Sequence, residues 1–439
     1  LFNKDLKFGE DFIDKKFGGK KPLLAEANKR VLRAGYNYAE TVEALRTTYQ
    51  INPIKNRTGR FRNITGNIAT AWGLVAAAER AGMELFLGSY PITPASEILQ
   101  ELSNMKKFGV KTFQAEDEIA GINSAIGASF AGDFAVTSTS GPGLALKGEA
   151  IGLAVITELP LVIVDVQRGG PATGLPTKPE QADLMQALYG RNGESPCVVL
   201  AASTPANCFH YAYMASKIAL EHMTPVILLT DGYLANGSEL WNIPEVKNLP
   251  SINPPFVADN SDYLPYKRNE ETLARYWAHP GQEGMRHRIG GLEKEDVTGT
   301  VSHNPLNHER MSMLREEKVQ RVVNYIPELE VYGKDSGELL VVGWGGTYGA
   351  LVSAVKDLQE EGKSISLAQF NYIKPLPRNT AEVLGNFKKI IVCEINLGQF
   401  VNYLRMTHPQ FTYMQHNKIQ GLPFMISELK EKFNQILEG

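Results

Sequence analysis

Four short turns in this 439-residue sequence carry residue types that can do chemistry. In the first, Tyr90-Pro91-Ile92-Thr93-Pro94, two prolines fix the backbone around a single hydroxyl, either as a rigid turn or as a mount for Thr93. The second, Gln114-Ala115-Glu116-Asp117-Glu118, puts three acids ahead of the small-residue helix IAGINSAIGASFAG. Acids there complement a helix dipole. Gly121 and Gly127 also suggest close approach of another element, which would drive one carboxylate into an interface. The third, Thr139-Ser140-Gly141-Pro142-Gly143, opens a helix and either offers backbone N–H groups to an anion or simply turns the chain. The fourth, Val166-Gln167-Arg168-Gly169-Gly170-Pro171-Ala172-Thr173-Gly174, sets Arg168 at the end of an apolar strand. A buried guanidinium without an anion is unfavourable, so a substrate carboxylate, which arginine pairs bidentately, is its natural partner.

In an open α/β sheet, ligands bind beyond the carboxyl ends of the strands, so the elements ahead of these turns decide whether they meet. Apolar runs at 84–87, 134–139, 161–166, 198–202 and 226–230 read as strands, separated by helical stretches that begin with a helix at 67–81. That alternation predicts a mostly parallel sheet with helices on both faces. A second α/β unit is predicted from strands at 339–342, 365–370 and 390–394, with a helix at 347–361. Four segments follow. Residues 1–60 form a charged tail or linker with a helical pattern at 24–45 and the polar stretch NPIKNRTGRFRN. Residues 61–241 form the first α/β domain, 336–439 the second. Between them, 242–335 is Pro-rich and polar, too long for a simple loop, and should hold short elements of its own or a functional excursion. Thr230-Asp231-Gly232 reads as a strand-ending turn.

Composition narrows the partners. With 43% hydrophobic and 21% charged residues the chain is globular, and 45 basic against 48 acidic residues leave no global field for nucleic acid or an anionic membrane. No run approaches the 18 or so apolar residues of a membrane span, and the beginning, LFNKDLKFGEDFIDKKFGGKK, is too charged for a signal peptide. The sequence starts without Met, so either the first residues were removed or the numbering begins later. Cys197, Cys208 and Cys393 are dispersed, which argues against a disulfide framework or an iron–sulfur cluster on this chain and suits a reducing cytoplasm. The eight histidines, including His279, His287, His303 and His308, lack metal-ligand spacing, so no metal site is expected here. Lys15, Lys16, Lys20 and Lys21 read as a solvated face.

YPITPASE, QAEDEIAG, TSTSGPG and VQRGGPATGLPT, followed by VVGWGGTYG, IKPLP and CEINLGQF, together resemble the α chain of 2-oxoacid:ferredoxin oxidoreductases, most closely the 2-oxoglutarate type, over roughly residues 60 to 439. The resemblance implies a thiamine diphosphate pyrimidine-binding domain at 61–241 and a smaller transketolase C-terminal-like domain at 336–439. Residues 1 to about 55 resemble the end of a fused γ domain, most of which would then be missing. The implied reaction converts 2-oxoglutarate and CoA to succinyl-CoA, CO₂ and reduced ferredoxin. Within the class, pyruvate or branched-chain 2-oxoacids are the alternative substrates, and a non-catalytic structural subunit is the alternative outside it.

The same resemblance assigns roles. Glu118, nine residues before Gly127, matches the glutamate that hydrogen-bonds the aminopyrimidine, with Glu116 as the competing choice. Protonating that ring promotes the tautomer that removes the thiazolium C2 proton. Pro91 matches the residue packing beside the pyrimidine; Thr93 and Arg168 match the pair holding the 2-oxoacid carboxylate. Ala95 and Ala172 replace serines frequent in relatives. No diphosphate motif follows Thr230-Asp231-Gly232, so Mg²⁺, the diphosphate and a [4Fe–4S] cluster are expected on a partner β subunit, in a dimer of heterodimers. A distal substrate carboxylate would need a further cation. Arg191 is the first candidate, although it equally reads as a surface arginine at a helix end, and Lys178 is the second.

Overall fold

The computed structural model describes residues 2, 4–43, 47–50, 58–258 and 263–439. The chain divides into two compact units, residues 1–60 and 61–439. In the first, α1 (Lys7–Ile13) and a single π-helical turn lead to α2 (Pro22–Thr41). Proline at the first helical position pre-sets φ, so α2 starts two residues before the predicted 24. Residues 44–46, at the predicted end of this helix, lie outside the described residues. Arg33 and Lys29 on α2 pair with Glu10 (2.6 Å) and Asp14 (3.0 Å).

The second unit begins where a linker was expected. Residues 51–57 of that stretch lie outside the described residues, but its end forms β1 (Phe61–Thr65), and Arg62 stacks 4.6 Å from the Trp72 ring. The chain continues through α3 (Gly66–Ala81), β2 (Leu85–Ser89), α4 (Ser96–Ser103), β3 (Val110–Gln114), α5 (Glu118–Ala131) and β4 (Phe134–Thr139). Two short helices, α6 (Gly141–Leu146) and α7 (Gly148–Thr157), lead into β5 (Leu161–Gln167), then α8 (Leu184–Tyr189), β6 (Val198–Ala201), α9 (Asn207–His222) and β7 (Pro225–Asp231). Asp231 ends β7 and caps α10 (Gly232–Asn236), its Oδ1 accepting from Tyr233 and Leu234 N–H groups at 2.8 and 3.0 Å. The chain then returns as β8 (Ser238–Asn242), antiparallel to β1.

Beyond β8, Phe256 bridges to Trp277 and Arg268 to Arg275, before α11 (Pro305–Arg321). The C-terminal part holds β9 (Val331–Tyr332), β10 (Gly337–Trp344), α12 (Tyr348–Glu360), β11 (Ile365–Phe370), β12 (Tyr372–Lys374), α13 (Thr380–Gly385), β13 (Phe387–Glu394), α14 (Gln399–Thr407), β14 (Met414–Asn417) and α15 (Ile426–Glu438).

The main sheet has seven strands in the order β12-β6-β7-β5-β4-β2-β3, all parallel except β12, and the second has five in the order β14-β13-β10-β11-β9, parallel except β9. β12 belongs by sequence to the C-terminal part yet pairs with β6, so the two α/β regions share a sheet. Side chains on one face of the main sheet pack with α3, α4 and α9; those on the other continue into one face of the second sheet through Val342, Trp344, Phe370 and Phe400. The close approach expected at α5 depends on Gly88 of β2, where a Cβ would run into the Ser124 hydroxyl and the Gly121 carbonyl. Gly121 faces that contact, whereas Gly127 has open space beside it.

Candidate functional site

The carboxyl ends of β2, β3, β4 and β5 lie side by side through their parallel pairing, which brings the four turns onto one edge. At the second turn the three acids separate by position. Asp117 is the N-cap of α5, its Oδ1 accepting from Ala120 N–H at 2.8 Å, so it takes the capping role. Glu116 is exposed and Glu118, the first helical residue, is half-buried.

Behind Glu118 stand two residues that sequence reasoning missed. The Tyr90 hydroxyl pairs with Thr139 Oγ1 at 2.8 Å. Burial pushes its phenol up, the Thr139 bond opposes this, and the nearby Glu118 and Asp165 carboxylates add to it. Lys147, fully buried, donates from Nζ to the Glu118 backbone carbonyl at 2.7 Å and lies 5.0 Å from the Tyr90 ring. Burial pulls its pKa down to about 8, against the attraction of the Glu118 and Asp117 carboxylates. A Cβ at Gly143 would strike Tyr90, Thr139 and Glu118 together, so only glycine lets α6 begin this close to them.

Thr93 and Arg168 do meet: Arg168 Nη1 donates to the Thr93 carbonyl at 2.7 Å. Pro91 and Thr93 are both exposed. Arg168 lines a cleft of about 550 Å³ together with Pro142, Asp183, Gln186 and Asn396. Arg191 does not reach this cleft. Its Nη1, Nη2 and Nε donate to the carbonyls of Ala187, Leu188 and Ser195 at 2.8, 2.8 and 3.0 Å, which ties it to the end of α8. Three of its five N–H donors are engaged there, and Arg191 stands outside the cleft that Arg168 lines. Lys178 is exposed and also lies outside the cleft lining.

Two further acids go with this cleft, Asp183 in its lining and Asp165 on β5. Asp165, in the middle of β5, is fully buried with neither carboxylate oxygen hydrogen-bonded among the described residues. Burial, then Asp183, pushes its carboxyl well above the usual range. Asp183 Oδ2 is also buried without a partner among the described residues, and burial aided by Glu180 pushes this carboxyl up to about 7 against the pull of Arg168. A lone charge within LVIVDVQ, and a lysine within the largely apolar LALKGEAIGLAV, were the available sequence signals for Asp165 and Lys147.

The edge thus presents a half-buried carboxylate at Glu118, uncovered apolar groups at Phe113, Ile119 and Leu146, and the Arg168 guanidinium. Residues 76–304, more than half of the chain, match the family described as pyruvate flavodoxin/ferredoxin oxidoreductase, thiamine diphosphate-binding. The chain is 49% identical over its full length to the 2-oxoglutarate oxidoreductase subunit KorA of Mycobacterium tuberculosis, of which it spans 67%. It is 34% identical to the 2-oxoglutarate synthase subunit KorA of Archaeoglobus fulgidus, with 86% of this chain and 98% of that one aligned. A solved 2-oxoglutarate:ferredoxin oxidoreductase from Magnetococcus marinus, with 2-oxoglutarate, coenzyme A and succinyl-CoA bound, superposes with a TM-score of 0.89 at 31% identity, over 99% of this chain and 75% of that one. The chain belongs to the α-subunit family of thiamine-dependent, CoA-acylating 2-oxoacid:ferredoxin oxidoreductases, of the 2-oxoglutarate type.

Proposed function

We propose that this chain supplies the pyrimidine half of a thiamine diphosphate site and the carboxylate clamp for 2-oxoglutarate, which reacts with CoA to give succinyl-CoA, CO₂ and reduced ferredoxin. The observation that carries this reading is the meeting of Thr93 and Arg168 on the same sheet edge that presents Glu118. When bound, thiamine diphosphate supplies the carbanion chemistry at its thiazolium ring. Glu118 holds a proton at its carboxyl for the aminopyrimidine, and Pro91 packs beside that ring. Lys147 fixes the Glu118 backbone and so aims its side chain. Arg168, oriented by the Thr93 carbonyl, pairs the 2-oxoacid carboxylate, with the Thr93 hydroxyl as second donor.

Mg²⁺, the diphosphate contacts and a [4Fe–4S] cluster belong on a β subunit in this reading; all three cysteines of this chain are buried and unpaired. The β subunit would cover the exposed edge around Phe113, Ile119 and Leu146, in a cytoplasmic dimer of heterodimers that passes electrons to ferredoxin. Residues 1–60 would be the end of a γ domain, and with Arg191 outside the Arg168 cleft the distal carboxylate of the substrate would fall to the β subunit. Co-expression with the neighbouring β gene, followed by CoA-dependent viologen reduction with a panel of 2-oxoacids, tests the assignment. A preference for 2-oxoglutarate is expected; equal or better turnover of pyruvate or branched-chain 2-oxoacids would overturn it.

A further inference from the structure

A second cleft opens where the two sheets join, and the proposed reaction does not use it. It measures about 630 Å³ and shares no lining residue with the cleft of Arg168. Four tyrosines from four separate elements wall it: Tyr211 of α9, Tyr332 of β9, Tyr348 at the start of α12 and Tyr372 of β12. Tyr211 and Tyr372 meet edge to face, with ring centroids 5.8 Å apart and planes at 73°. Tyr372 is 5% exposed, and its hydroxyl is buried without a hydrogen-bond partner among the described residues although the residue lines open space. A buried phenol ordinarily finds a partner, so this one is left for an occupant.

The charges on the walls have one sign. Glu239, Glu328 and Glu330 line the cleft, and among the described residues no Lys, Arg or His does. Glu239 is fixed by the backbone, its Oε2 accepting from Ala206 N–H at 3.0 Å. Glu328 and Glu330 are exposed and have neither a hydrogen-bond nor an ion-pair partner among the described residues. Burial raises the Tyr211 phenol, and Tyr372 and then Glu330 add to it, which puts the Glu330 carboxylate beside the aromatic pair.

This chemistry selects the occupant. An anion would meet three carboxylates and no positive charge. A divalent metal needs oxygens that converge on one point, and among the described residues no three His, Cys, Asp or Glu groups do so. What fits is a cation whose charges are spread along an apolar stem. The stem lies on the tyrosine rings, separate carboxylates meet the separate charges, and the ring faces attract the same charge. We propose that this cleft binds a linear alkylammonium of the polyamine class, carrying two or more charges, with the Tyr372 hydroxyl accepting a hydrogen bond from one ammonium group. A lysine of a neighbouring subunit presents the same alkylammonium, and the test separates the two sources.

Spermidine, putrescine and MgCl₂ are titrated calorimetrically into the full chain and into the αβ complex, at low and at physiological salt. One spermidine site per chain is expected, tighter than that for putrescine and not displaced by MgCl₂ at equal ionic strength. Glu328→Gln combined with Glu330→Gln, both at exposed positions, should weaken spermidine binding roughly tenfold. Tyr332→Ala should weaken it by about threefold or more through the lost ring face. Tyr372→Phe keeps the ring and should weaken binding by about threefold or more without lowering the melting temperature, because no internal hydrogen bond is lost. Binding by the full chain that disappears in the αβ complex assigns the cleft to a subunit lysine, and the double variant should then weaken assembly as well. The proposal is overturned if spermidine gives no saturable binding to either form, if MgCl₂ displaces it at equal ionic strength, or if affinity is unchanged in both the double variant and Tyr332→Ala.

Discussion

Strand β5 is flanked and occupied by two buried acids with opposite fates. Glu158, just ahead of it, is 1% exposed and accepts from Arg268 Nη1 at 2.6 Å and from Lys318 Nζ at 2.5 Å, while Arg275 Nε bonds the Glu158 carbonyl at 3.1 Å. These cations come from the segment beyond β8 and from α11, so the Pro-rich stretch is fastened to the sheet through one carboxylate. Asp165, seven residues on, has no such partner among the described residues. Burial opposes ionisation of Glu158, but Arg268 and Lys318 outweigh it and hold the carboxyl far below its usual range; Asp165 is driven the other way. Lys318, of the same pair, is pulled down to about 8 by burial, so both partners remain charged at neutral pH. A carboxylate satisfied from within the chain holds the fold together, Asp165 without a donor is kept neutral, and a half-buried acid such as Glu118 on the sheet edge stays open to a ligand.

That contrast is open to attack at its functional end first. Glu118→Gln should lower turnover of the reconstituted complex by about 10²- to 10⁴-fold with no loss of thermal stability, because an amide cannot supply the proton. Glu116→Gln, at an exposed position, should stay near wild type. Steady-state assays beside thermal melts check both, and a stability loss in Glu118→Gln matching its activity loss would erase the contrast.

At the structural end, Glu158→Gln strands Arg268 and Lys318 and should destabilise the protein by about 3–5 kcal/mol, with turnover per folded molecule unchanged. The pH dependence has a definite sign. The folded carboxyl lies below its unfolded value, so the unfolded chain binds the proton first as pH falls. The contribution is complete above the ordinary carboxylate range and drains away below it. Denaturant titrations should therefore give wild type a steeper loss of stability on acidification than Glu158→Gln.

Lys147 sharpens the comparison, because both lysines are buried and donate to a backbone carbonyl, but only Lys318 also donates to a carboxylate among the described residues. Lys147→Met should lower turnover by about tenfold, the worth of one charge-assisted hydrogen bond. Its pKa of about 8 also predicts that wild-type activity declines above pH 8 on a limb that the variant lacks. A pH profile of the variant that keeps this limb would remove Lys147 from the site. The smallest effect belongs to Arg191→Ala, about 1 kcal/mol of stability from the lost helix-end bonds, with the ratio of 2-oxoglutarate to pyruvate turnover unchanged.

Much of this arrangement was legible residue by residue. The central strands are continuous apolar runs because both faces of a parallel sheet are covered, so β4, β5, β6 and β7 appear in the sequence near their observed bounds. Edge strand β3, Val-Lys-Thr-Phe-Gln, holds only two separated apolar residues, and β12 is three residues ending before a proline, so neither carries a run to read. The resemblance gave Thr93 and Arg168 a shared role, and the fold sets Arg168 Nη1 against the Thr93 carbonyl, a contact that no local pattern announces.

The sequence by itself determined the alternation of strands and helices, the turns that end the strands and the residue types at those turns, since periodicity and turn chemistry are local properties. Tertiary structure alone decided which charges are paired. Glu158 finds Arg268 and Lys318 at separations of 110 and 160 residues, Arg191 donates to carbonyls at its own helix end and at Ser195, and Asp165 is left without a partner among the described residues. Ionisation depends on burial and on neighbours within a few ångströms, and those neighbours are set by how distant segments pack.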